Sequence, residues 1–192
     1  MILDNIDQVS TEELAAGVYQ ILYAGTADRE THQKMRDQRL IPIFSAIVQA
    51  KGQPSFAPPN LPKDQTDRVM MSAAYLLGDI AAPDDREAVK ALMDMMDDEH
   101  DSVKLAAATA LGEIAATEAT PKIVSFFEQM MTKREVGAIA KLARALAAIG
   151  GDDAKAQLSR FTNENRDVAD KHVQNAVAEA EAAIKTIDER LA

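Results

Sequence analysis

The chain of 192 residues has no cysteine and no tryptophan, and aromatic residues make up only 4% of it. Without cysteine there is no disulfide, no thiolate metal site and no cysteine nucleophile. That absence fits any compartment and locates nothing. With so few rings, a core has to be filled by Ala, Leu, Ile, Val and Met, which suits closely packed helices, and an apolar share of 47% is enough to build one. Basic residues are outnumbered, 21 Lys and Arg against 31 Asp and Glu, for a formal charge of −10. A nucleic-acid footprint needs clustered Lys and Arg to neutralise phosphates, and an anionic membrane surface asks for the same, so neither partner is expected. The acidity is read as an aid to solubility. No apolar run of about 18 residues occurs. The N-terminal stretch MILDNIDQVSTEE has no basic start and no apolar segment of leader length, so a soluble, cytoplasmic protein is expected, although a chain trimmed of a leader would read the same.

What the chain has instead is one phrase written three times. It reads VMMSAAYLLGDI from Val69, VKLAAATALGEI from Val103 and AIAKLARALAAI from Ala138, with a fainter fourth copy, VQNAVAEAEAAI, from Val173. The starts lie 34, 35 and 35 residues apart. A fixed period of that size signals a helical-repeat solenoid, in which each unit buries its apolar face only against its neighbours.

Each strong copy follows another helical pattern. Val89, Leu92 and Met96 recur at helical spacing in EAVKALMDMM, with Asp84 expected as N-cap and Glu87 completing a capping box. PKIVSFFEQMM is opened by Thr120 as cap and Pro121 at the first helical position. Ile123 and Phe126 lie 34 residues after Val89 and Leu92, and Leu158 and Phe161 follow 35 later. The first helices therefore repeat in phase with the second, and the unit is a helical hairpin. Breaks fall at Pro83 with Asp84 and Asp85, at 117–121, and at Gly150 and Gly151 before Asp152 and Asp153, a pair read as capping rather than acid–base chemistry. The expected organisation is one α-solenoid domain over 1–192. It has a capping helix at 10–24, a first hairpin at 35–81, and hairpins at 85–116, 120–149 and 153–190. Pro42 either kinks the first helix of the 35–81 hairpin or marks its start.

Residues 52–64, GQPSFAPPNLPKD, hold four of the seven prolines and favour extended backbone. They read as an ordered insertion anchored by Phe56 and Leu61, as a partner-binding arm, or as disorder. The N-terminal helix starts at Ser10, with Glu13 completing a capping box and Leu14, Val18, Ile21 and Leu22 on its apolar face. The charged residues of 167–190 suit a C-terminal cap, since the ends of a solenoid must be shielded.

The pattern V-x-x-A-A-x-A-L-G-x-I, carried by Val103, Ala106, Ala107, Ala110, Leu111, Gly112 and Ile114, resembles the second helix of HEAT-like repeats. The nearest type is the short bacterial HEAT repeat named after phycobilisome lyases. The resemblance covers about 65–185 well and 1–64 weakly, and it is specific for fold rather than activity. It implies an all-α, right-handed α-solenoid of HEAT-like helical hairpins with the second helices lining the concave side, used by most such proteins as an adaptor or scaffold. The third copy departs from it at Ala147 and Ala148, and the fourth places Glu181 where the others have Leu77, Leu111 and Leu146. Metal hydroxylases of this fold use His-Glu dipeptides, yet His32 precedes Gln33, His100 precedes Asp101 and His172 precedes Val173. DNA-glycosylase relatives need a basic groove, and no chromophore motif of a bilin lyase is readable.

On the second helices, the stripe opposite the apolar face is Met71, Tyr75, Gly78 and Ala82, then Leu105, Thr109, Gly112 and Ala116, then Ala140, Arg144, Ala147 and Gly151. A solvated stripe should be polar, and Met71, Leu105 and Ala140 are not. Either the whole second helix is buried, or Met71, Tyr75, Leu105, Thr109, Ala140 and Arg144 form a partner-binding column. Seven methionines cluster in the middle hairpins, as adaptable core filling or as a plastic surface. The run Asp94, Asp97, Asp98, Glu99, His100, Asp101 lacks the alternating ligands and central glycine of a calcium loop and reads as a solvated turn, with Asp101 as a helix cap. No phosphate loop or nucleophile elbow is present. A non-catalytic protein-interaction module without cofactor or metal is expected, with self-association open. The alternative is an accessory or lyase-type subunit handling a small molecule or cofactor.

Overall fold

The computed structural model describes residues 2–25, 29–36 and 40–191. Among the described residues every regular element is a helix, in the succession expected of an α-solenoid. No described helix is long and apolar enough to cross a membrane. The chain forms two compact units, Met1–Ala110 and Leu111–Ala192.

In the first unit, α1 (Thr11–Ala24) starts at the expected capping box. The Ser10 hydroxyl accepts the Glu13 N–H at 3.2 Å, and the Glu13 carboxylate accepts the Ser10 N–H at 3.0 Å. The Ser10 side chain and backbone bonds hold the Glu13 carboxyl below its ordinary value. Leu14, Val18 and Leu22 are buried, while Ile21 is half-buried. After α2 (Arg29–Lys34), α3 (Ile41–Gln49) carries Pro42 in its first turn, so this proline marks a start and not a kink. Of the helix expected at 35–51, residues 37–39 lie outside the described residues, as does the side chain of His32. α3 packs on α4 (Lys63–Ile80) and α5 (Arg86–Met95), α1 packs on α4, and α6 (Asp101–Ile114) follows.

The proline-rich segment between α3 and α4 is held as an ordered cover. The buried Tyr19 hydroxyl donates to the Gly52 carbonyl at 2.7 Å, and the Phe56 ring meets the Tyr19 ring edge-on at 6.1 Å. Gln53 donates to the Leu61 carbonyl at 3.3 Å. Gly52 has φ +75° and its α-carbon faces the Thr66 backbone so closely that a side chain would collide there.

Several expected caps are placed differently. Asp85, not Asp84, precedes α5, and its carboxylate accepts the Ala82 N–H at 2.6 Å. That bond closes the preceding turn, so the Asp84–Glu87 capping box does not form. Thr120 is the first residue of α7 (Thr120–Lys133), and its hydroxyl donates to the Thr117 carbonyl at 2.7 Å instead of capping. Asp101 is the first residue of α6, and Asp152 and Asp153 lie in the first turn of α9 (Asp152–Asn165) after Gly151. At Asp152 and Asp153 negative charge complements the helix dipole without a side-chain cap.

In the second unit, α7 packs on α8 (Val136–Ile149) and α9, and α10 (Lys171–Leu191) packs on α8 and α9. Phe127 and Phe161 meet edge-on at 5.7 Å. Ile123, Leu142, Leu146 and Leu158 are fully buried around them. Glu181 is exposed and pairs with Arg166 at 3.5 Å, so its replacement of a core leucine leaves no buried charge. Arg190 donates to the carbonyls of Ala147 and Ala148 at 3.0 and 2.6 Å, satisfying acceptors at the end of α8.

Candidate functional site

The 3.6-residue period puts Val69, Met70, Ala73, Ala74 and Leu77 of α4 into the core. The neighbouring stripe is left partly open, with Met71 half-buried and Tyr75 44% exposed. On α6, Val103, Ala106, Ala107 and Ala110 are buried, while Leu105 and Thr109 are half-buried. The Thr109 hydroxyl donates to the Leu105 carbonyl at 2.7 Å, so its polar atom is already engaged. These four residues belong to the first unit.

The stripe is not uniform along its helix. A β-carbon built on Gly78 would lie 2.9 Å from the Ala110 α-carbon, and one on Gly112 would lie 2.7 Å from that of Ala145. Gly78 and Gly112 are therefore buried points of helix–helix approach, and Ala116 is buried too. Complete burial of the second helices is overturned at Tyr75 and Arg144, because the glycines let the helices meet at one level while larger side chains stay at the surface.

Ala140 and Arg144 belong to the second unit. Ala140 is half-buried on α8, and the Arg144 side chain is 62% exposed with its guanidinium 3.8 Å from Glu179 of α10. Ala140 also lines a cleft of about 680 Å³ with Gly137 and Glu179.

Of the methionines, Met70, Met95, Met96 and Met130 are buried and fill the core, while Met71, Met93 and Met131 are half-buried. The acidic turn is only partly a solvated one. Asp98 is buried, and it accepts the His100 N–H at 2.9 Å. His100 Nδ1 lies 3.2 Å from Asp67 Oδ2 of α4 and 3.5 Å from Asp98 Oδ1. Lys63 donates to Asp67 at 2.8 Å, which raises the lysine above its ordinary value. This cluster ties the start of α4 to the α5–α6 turn, a link between residues about 30 apart that no local spacing advertises. No group of His, Asp and Glu among the described residues could hold a metal ion.

A second feature missed from sequence lies in the second unit, where another cleft of about 640 Å³ opens between the α7–α8 and α9–α10 turns. It depends on residues from both turns, separated by some 30 positions and without a motif.

No curated protein matches the chain. A family model of HEAT repeats matches residues 60–135, which contain α4 to α7, and the chain is HEAT-like over that stretch.

Proposed function

We propose that the chain is a non-catalytic interaction module that takes a protein partner on the second helices of its repeats. In the first unit the contact residues are Met71, Tyr75, Leu105 and Thr109, and in the second unit Ala140 and Arg144. The observation that carries this reading is Tyr75, a large ring left 44% exposed on a helix whose other apolar residues are buried or half-buried. Exposed rings flanked by apolar side chains supply much of the binding energy of interfaces. HEAT repeats serve commonly as such surfaces, and the period of 34 to 35 residues supports the short type named after phycobilisome lyases.

The test is a paired capture from native-source lysate with wild type, Tyr75→Ser and Leu105→Asp as baits, each checked for folding by circular dichroism. A protein retained by wild type and lost by both folded variants supports the surface and names the partner. Equal recovery on all three baits removes these residues from the site.

A further inference from the structure

The two clefts of the second unit share Arg134, Val136, Val168 and Val173 and so form one double cavity around these side chains. Each half lies in the size range of ordinary small-molecule sites, about 300–1,000 Å³. Its apolar wall includes Val168, which at 38% exposure is one of the most open large apolar residues described. The loop carrying Val168 is fixed in place, because the Gln174 side-chain amide donates to the carbonyls of Asn165, Arg166 and Val168 at 3.4, 3.0 and 2.7 Å.

The charges lining this cavity are nearly all engaged. Glu128 and Glu164 face Arg160 at 3.5 and 3.0 Å, and Glu179 faces Arg144 at 3.8 Å. Asp170 accepts the backbone N–H groups of His172 and Val173 at 2.7 and 3.2 Å. The guanidinium of Arg134 alone among these permanent charges has no hydrogen bond or ion pair with any described residue. Arg134 also holds φ +58° at the end of α7, a left-handed position where glycine is the unstrained choice. Arg134 thus lines both halves of the cavity from the end of α7.

We propose that this cavity binds a small carboxylic acid with an apolar body. The carboxylate is held by Arg134, whose planar fork matches it, and the body rests on Val136, Val168 and Val173. The site is separate from the Met71–Tyr75 surface, and its test does not depend on that reading.

The experiment is an amide NMR titration of the full chain with octanoate, with octanol as the uncharged counterpart and an acetylated, amidated Leu-Glu-Leu peptide as the acidic-peptide control. Saturable shifts confined to residues 134–140 and 165–176 are expected with octanoate, and binding of octanol weaker by about tenfold or more. Arg134→Gly should remove binding while raising the thermal midpoint, since it relieves the left-handed strain. Gly137→Leu should block the second half of the cavity without unfolding the chain, because nothing lies within 4 Å of the position its β-carbon would take. Shifts that do not saturate, equal binding of octanol, unchanged affinity in both variants, or a response to the peptide alone would each overturn the proposal.

Discussion

Gly112 and Ala145 meet so closely that a β-carbon on the glycine would stand 2.7 Å from both the α- and β-carbons of the alanine. The glycine of the repeated Leu-Gly-x-Ile motif is therefore a packing residue, although a glycine within a helix lowers its intrinsic propensity. Gly112→Ala should destabilise the protein by about 1–2 kcal/mol, the overpacking cost less the helix-propensity gain. Gly137→Ala should act in the opposite direction, by about 0.5–1 kcal/mol, because its site is open. Paired chemical denaturation of the two variants checks the opposite signs.

Leu111 is fully buried, while Leu105, on the same helix, is half-buried. Leu111→Asp places an unpaired carboxylate in the packed layer, and loss of the folded state is expected. Leu105→Asp can keep its charge in contact with water, so a folded protein with a modestly lowered melting temperature is expected. Circular dichroism melts of both variants make the comparison. A Leu105→Asp chain as disrupted as Leu111→Asp would place Leu105 in the core and remove it from the partner surface.

Tyr19 links α1 to the proline-rich cover through the Gly52 carbonyl, at 2.7 Å. Tyr19→Phe keeps the ring packing on Phe56 and deletes only the hydroxyl, leaving a buried acceptor without its donor. A loss of about 1–3 kcal/mol is expected, together with faster amide exchange in 52–62 than in α7–α10. Unchanged exchange there would show that the Phe56 contact alone holds the cover.

Asp4 accepts a hydrogen bond from Lys34 at 2.6 Å, and this contact is the largest of the effects that lower its carboxyl from 3.8 to about 2. A depressed carboxyl contributes stability that is present above its ordinary value and is lost as pH falls through the folded one. The contribution should therefore vanish between about pH 4 and pH 2, and it should be small because the pair is exposed. Carboxyl-detected NMR should give an Asp4 midpoint near the lower value in wild type and one raised toward the ordinary value in Lys34→Met. An unshifted midpoint in both would show that the pair does not persist in solution.

The legible parts of the chain were those with a local physical signal. The Ser10–Glu13 box could be read directly, since both partners lie within one helical turn. The repeat phase also marked Leu77, Leu111 and Leu146 as core, and all three are fully buried. The same spacing was not sufficient at Asp84 and Glu87, nor was the single residue Thr120, because a short polar side chain has competing acceptors and donors nearby. Asp85 and Thr120 both turn to the preceding loop. The apolar column was visible as a pattern, but the pattern did not separate its buried glycines from Tyr75.

By itself the sequence determined that this is an all-helical repeat with hairpin units, because the apolar positions recur at a helical spacing inside a constant period. Local periodicity dictates which face of each helix leaves water, and that holds whatever the neighbouring helix is. Only the tertiary structure decided how much of the remaining face stays open. Exposure at Tyr75, the burial of Asp98 beside His100, and the cavity around Arg134 all depend on the distance between elements some 30 residues apart. That distance is set by the summed packing of many side chains, which no short pattern encodes.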